Sequence, residues 1–221
     1  MTSFGALFDW DGVIIDSSAQ HERSWELVSV EENLSLPEGH FKRGFGKKNE
    51  VIIPDLGWAT DPAEVRRLAL RKEELYRELV LRDGVTVLPG ARSLLEALRD
   101  AEVPCAVGSS THRENIETIF RVTGLQPFFQ AVVTGEDVSN GKPAPDVFLM
   151  GAQRLNLSPG RCVVFEDALV GIEAAHAGGM KCVAVATTNP LELLRHADLA
   201  VKSLEELDVP RLRTLMASPV Q

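Results

Sequence analysis

Asp9 and Asp11 stand two residues apart in Phe8-Asp9-Trp10-Asp11-Gly12-Val13, directly after a short apolar run. Side chains at i and i+2 of a segment that is still extended point to the same side, so both carboxyls can face one space. Such a pair suits magnesium, which takes oxygen ligands and is usually held by one or two carboxylates together with substrate phosphate. An aspartate screened in this way can attack phosphorus and carry the phosphoryl group as an acyl phosphate. Its neighbour can then protonate the leaving oxygen and deprotonate the incoming one. Gly12 allows the backbone to turn away tightly. A turn closed by Asx hydrogen bonds would use the same residues.

Three further segments carry chemistry of the same kind. Val107-Gly108-Ser109-Ser110-Thr111 brings hydroxyls and backbone amides to the start of a helix predicted from Arg113, so Ser109 and Ser110 are candidate phosphate binders. An ordinary helix N-cap would look alike. In Gly141-Lys142-Pro143-Ala144-Pro145 two prolines stiffen the chain beside a lysine that can neutralise the charge gathered by two aspartates and a phosphate; a solvated loop lysine fits the same residues. Val164-Phe165-Glu166-Asp167-Ala168 ends an apolar run in two acids. They are candidate metal ligands alongside Asp9 and Asp11, or acids favoured by the positive end of the following helix.

Parallel α/β elements are what would bring these four segments together. Apolar runs at Gly5–Asp9, Cys105–Ser109, Ala131–Thr134, Cys162–Glu166 and Cys182–Ala186 read as strands covered on both faces. Helical patterns at Ala91–Asp100, Arg113–Thr123, Asp146–Leu155 and Ala168–Ala177 alternate with them, and Gly124 and Gly178 stand where helices should stop. The alternation implies a parallel sheet of right-handed βαβ units, with ligands beyond the carboxyl ends of the strands. Residues 18–82 break the rhythm. They show helical periodicity and turn signals at Leu36-Pro37-Glu38-Gly39 and Asp61-Pro62, but no strand. The economical division is a core of 1–17 and 83–221 with an all-helical insertion at 18–82. The tail from Asp208 reads as a surface helix.

A chain of 221 residues can bury one sizeable core plus a small accessory domain. Its net charge of −9 argues against nucleic acid, whose backbone demands clustered lysine and arginine. Cys105, Cys162 and Cys182 form no CxxC pair and lie in apolar runs, as buried reduced thiols would. With no basic leader and no apolar run of the ~18 residues needed to cross a bilayer, a cytosolic monomer without membrane contacts is the expectation.

Four motifs in order, FDWDGVIIDS at 8–17, VGSS at 107–110, GKPAPDVF at 141–148 and FEDALVGIEAAHAGGMK at 165–181, span nearly the whole chain. The sequence resembles the haloacid dehalogenase superfamily of phosphohydrolases, and within it the branch of β-phosphoglucomutase and small-metabolite phosphatases. The resemblance implies a Rossmann-like core with an inserted helical cap that closes over the substrate. It implies Asp9 as nucleophile, Asp11 as acid and base, Ser109 and Lys142 on the phosphoryl group, and Glu166 and Asp167 around Mg2+. The implied substrate is a small phosphorylated metabolite, a sugar or polyol phosphate. Dehalogenation is disfavoured, since a halide needs no proton from Asp11.

Specificity then falls to the cap. His21 shares an apolar helical face with Trp25 and Val28, and related mutases carry a histidine at the matching place. Lys72 interrupts the stripe Val65, Leu68, Leu75, Leu79, where lysines are rare; its family counterpart reaches the substrate. A methionine there is expected to leave the packing intact. The loop Gly44-Phe45-Gly46-Lys47-Lys48-Asn49 matches one that contacts the leaving group, making Gly46 and Lys47 candidates, though a solvated turn would be equally basic. β-Phosphoglucomutase has an arginine where this chain has Asn49, and a lysine and asparagine where it has His112 and Arg113. Arg113 remains a candidate substrate contact, and these departures favour a phosphatase over a mutase.

Overall fold

The computed structural model describes residues 4–44 and 48–218. In chain order, β1 (Gly5–Phe8) and β2 (Ile15–Asp16) precede four helices, α1 (Ser18–Glu31), α2 (His40–Gly44), α3 (Asn49–Asp55) and α4 (Pro62–Asp83). Then come β3 (Thr86–Val87), α5 (Ala91–Asp100), β4 (Cys105–Gly108), α6 (Arg113–Thr123), β5 (Ala131–Val133) and α7 (Asp146–Arg154). The chain closes with β6 (Cys162–Glu166), α8 (Leu169–Ala177), β7 (Lys181–Val185), β8 (Leu199–Val201) and α9 (Val209–Ala217). Two compact units result, one from the segments that end at Asp16 and resume at Thr86, the other from Ser17–Val85.

The first unit holds a six-stranded sheet in the order β5-β4-β1-β6-β7-β8, with every pairing parallel. β1 lies where the strand order reverses, so its carboxyl end opens on the crevice that such sheets use for ligands. Phe8 pairs with Val107 on one side and Phe165 on the other, which sets the residues after β1, β4 and β6 side by side. Leu7 faces a core with Phe148 of α7 and Ile172 and Ala175 of α8. Phe8 faces the opposite way, stacked on Phe165 at 4.3 Å and edge-on to Phe129 at 6.0 Å. Burying each such side chain stabilises the sheet by roughly 1.5–3 kcal/mol.

All three cysteines are buried and unbridged, and burial pushes the Cys105 and Cys162 thiols up to about 12 and about 11. Gly124 ends α6 in the left-handed conformation, φ +67°. At the end of α8, Gly178 stays right-handed and Gly179 takes the positive φ of +72°. Three strands go beyond the sequence expectation. β8 has three residues, and the antiparallel β2–β3 ribbon has two in each strand. Segments so short show no period, and their pairing partners are distant in sequence.

In the second unit, Trp25 and Val28 of α1 pack with Ile53 of α3 and Val65, Leu68 and Leu75 of α4. The Asp61-Pro62 signal is the cap of α4: the Asp61 carboxylate accepts from the Ala63 and Glu64 N–H groups, both at 3.1 Å, and Pro62 opens the first turn. Outside, Arg67 pairs with Glu32, and Arg71 with Glu31. Exposed pairs of this kind add little individually.

Candidate active site

β1 delivers Asp9 to the carboxyl edge of the sheet, and the Asp9 N–H donates to the Phe165 carbonyl at 2.9 Å. Lys142 Nζ lies 2.7 Å from Asp9 Oδ1 and 2.5 Å from Glu166 Oε1, and 4.9 Å from the Phe148 ring. Glu166 is 1% exposed. Its Oε2 accepts from the N–H groups of Asp167 and Ala168, both at 2.9 Å. Glu166 thus anchors the lysine with one oxygen and the turn into α8 with the other. Gly171 is required beside it, because a Cβ there would lie 1.8 Å from Glu166 Oε1.

Among the described residues, Asp9, Glu166 and Asp167 offer carboxylate oxygens within 4.8 Å of one another. Asp11 stands apart from that trio, its Oδ2 accepting from Thr111 Oγ1 at 2.6 Å. Ser109, 2% exposed, accepts the Thr111 N–H at 3.1 Å. The cap residue of α6 is His112, with no side-chain cap bond, so the hydroxyls of 109–111 are not spent on capping. Ser110 is exposed.

Among the described residues, two buried acids and the half-buried Asp9 against one lysine leave negative charge in excess. Burial raises Asp9 to about 7; Lys142 opposes the shift and Glu166 adds to it. Burial, then Asp9 and Glu166, lift Asp167 to about 8. Burial works against the Lys142 ammonium, yet Asp9 and Glu166 outweigh it and push its pKa up. Both Glu166 oxygens are engaged, whereas Asp9 Oδ2 and Asp167 Oδ1 carry no hydrogen bond among the described residues. Hard, anionic and short of counter-charge, this donor set fits a magnesium ion.

A family model for haloacid dehalogenase-like hydrolases matches residues 5–179. The chain belongs to that family. It is 40% identical over 215 residues to the chloroplastic 5-amino-6-(5-phospho-D-ribitylamino)uracil phosphatase of Arabidopsis thaliana, covering 96% of this chain but 57% of that protein. It therefore spans a little over half the length of that relative. With hexitol phosphatase A of Escherichia coli K12 the identity is 34%, over 94% of each chain. Among solved structures, β-phosphoglucomutase from Clostridium difficile superposes with a TM-score of 0.83 at 26% identity, covering 97% of both chains.

Within this haloacid dehalogenase-like chain, the helical unit buries a polar cluster of its own. Lys72, 2% exposed, places Nζ 2.7 Å from His21 Nδ1 and 3.0 Å from Glu73 Oε1. An ammonium can only donate, so Nδ1 accepts and the imidazole proton belongs on Nε2. His21 stacks on Tyr76 at 4.0 Å, and the ammonium lies 5.3 Å from the Tyr76 ring and 5.6 Å from that of Trp25. Asn49 Nδ2 donates to the same Glu73 oxygen at 2.7 Å. Replacing Lys72 with methionine would remove the ammonium 3.0 Å from the buried Glu73 carboxylate, a cost that the sequence-based expectation of undisturbed packing left out.

Arg113 turns to Asp137, Nη2 to Oδ2 at 2.6 Å, and Arg154 joins from the other side at 2.9 Å. Burial opposes ionisation of Asp137, but Arg154, Thr134 and Arg113 hold its carboxyl well below the usual range. Gly46 and Lys47 lie outside the described residues.

Sequence reading placed Thr111 in the phosphate-binding segment without a role of its own, and passed over Glu73 and the turn Thr187-Thr188-Asn189. That turn follows a recognised strand, so inspecting every strand end would have reached it. Thr188 Oγ1 donates to Asp167 Oδ2, and Asn189 Nδ2 donates to the Asp167 carbonyl at 2.9 Å. Thr187 Oγ1 donates to the Gly12 carbonyl.

Proposed function

We propose that this chain is a Mg2+-dependent phosphatase that hydrolyses a small phosphorylated metabolite through an aspartyl phosphate on Asp9. The observation that carries the reading is Lys142 held between Asp9 and Glu166, with Asp167 beside them and Asp11 oriented by Thr111. Asp9 attacks phosphorus and the bond to the leaving oxygen breaks, while Asp11 gives that oxygen its proton. Asp11 then takes a proton from water as the water oxygen attacks phosphorus, releasing inorganic phosphate and restoring both carboxyls. Lys142, Ser109 and Ser110 are the proposed partners of the phosphoryl oxygens. Asp9 and Asp167 would hold the magnesium ion, which would offset charge on the phosphoryl group and keep both carboxyls ionised.

The helical unit is proposed to supply specificity, with His21, Lys72, Gly46 and Lys47 as its candidate contacts. The names of the Arabidopsis and Escherichia relatives both point to phosphate on an open polyol chain, ribityl in one and hexitol in the other. A polyol phosphate is therefore the substrate class we favour. A mutase needs a site for a second phosphate. Here the Asn49 amide is committed to Glu73 and the Arg113 guanidinium to Asp137, which supports hydrolysis.

The test is release of inorganic phosphate from a panel of polyol, sugar and nucleoside phosphates with Mg2+, alongside acid quenching and hydroxylamine trapping. An adduct on Asp9 and turnover on polyol phosphates are expected. An adduct elsewhere, or transfer to hexose phosphate without phosphate release, would sink the reading.

A further inference from the structure

Asp167 is gripped from two sides by one turn. Thr188 Oγ1 donates to its Oδ2, and Asn189 Nδ2 donates to its carbonyl oxygen at 2.9 Å. The same turn reaches across to β1, where Thr187 Oγ1 donates to the Gly12 carbonyl. Gly12, at φ +83°, has no Cβ where one would come within 2.1 Å of Asp167 Oδ2. The carboxylate therefore packs against bare backbone and one hydroxyl. With Oδ2 occupied, Oδ1 is the Asp167 oxygen left without a hydrogen bond among the described residues.

A hydrogen bond to one oxygen of a ligating carboxylate fixes which oxygen faces the ion and at what angle, and losing such a partner weakens metal binding. We propose that Thr188 is a positioning residue that sets the magnesium affinity of the site by locking the Asp167 carboxylate. This inference rests on the magnesium reading above. Thr188→Val keeps the shape and removes the donor, Thr188→Ser keeps the donor, and Asn189→Ala removes the amide that donates to the Asp167 carbonyl and, at 3.2 Å, to the Thr188 hydroxyl.

The experiment titrates Mg2+ into chelator-stripped protein and follows both the melting temperature and the heat of binding. Thr188→Val should bind magnesium about 10- to 100-fold more weakly than wild type, and Thr188→Ser should stay within a few-fold. A cooperative melt in chelator shows that each variant is folded; should Thr188→Val fail that check, Thr188→Ala makes the same comparison. Wild-type affinity in Thr188→Val, or an equal loss in Thr188→Ser, overturns the proposal while leaving the magnesium reading standing. A wild-type protein that does not respond to Mg2+ at all overturns both.

Discussion

Thr111 Oγ1 donates to Asp11 Oδ2 at 2.6 Å, joining the segment that follows β4 to the one that follows β1. A hydroxyl in this place orients the carboxyl without changing its charge. Thr111→Val should lower kcat by about 2- to 10-fold, the usual worth of one neutral hydrogen bond of ~0.5–1.5 kcal/mol. The loss should be larger for alkyl phosphates than for p-nitrophenyl phosphate, whose leaving group needs little protonation. Equal losses on both would remove Asp11 from the proton transfer.

Lys142 is shared by Asp9 and Glu166. Thus Lys142→Met leaves Glu166 buried without its counter-charge. Breaking a buried pair in this way costs about 3–5 kcal/mol. Urea unfolding should show that drop, and adding Glu166→Gln should restore part of it by removing the stranded charge. A double variant no more stable than Lys142→Met would show that the lysine acts on stability through Asp9 instead.

Stability of the metal-free protein should depend on pH in a defined direction. An unfolded aspartate ionises near 3.9, whereas burial and neighbouring acids raise folded Asp9 to about 7 and Asp167 to about 8. Between these limits the folded state keeps protons that the unfolded chain has released. Stability is therefore full below about pH 4 with respect to these groups, falls as pH rises, and levels off above about 8. Magnesium competes with those protons, so its effect on melting temperature should be greater near pH 8.5 than near pH 5.5. A gain that shrinks with pH would contradict the assignment of the ion to these carboxylates.

The helical unit offers a way to separate structure from recognition. Lys72→Met should destabilise it by removing the ammonium 3.0 Å from the buried Glu73 carboxylate, while Lys72→Met with Glu73→Gln should recover part of the loss. The two residues should show a coupling of about 0.5–3 kcal/mol. If Lys72 also meets substrate, the stabilised double variant will still lose kcat/KM on a polyol phosphate and lose far less on acetyl phosphate. Wild-type kinetics in the double variant would make Lys72 purely structural.

Five strands of the sheet, the helices between them and the acids proposed for the site were legible in the sequence because all are local properties. An apolar run buried on both faces reads as a parallel strand, and Asp9, Asp11, Lys142, Glu166 and Asp167 are marked by following such runs or by flanking prolines. Position along the chain does not reveal what each oxygen is bonded to. Only the folded sheet sets Phe8 beside Val107 and Phe165, and only that register brings Thr111 to Asp11 and Lys142 to Asp9 and Glu166. The same holds for Thr188 on Asp167 and for Asn49 on Glu73, pairs separated by 21 and 24 residues. A hydrogen bond needs two atoms within about 3 Å, and across such spans that distance is decided by tertiary packing alone.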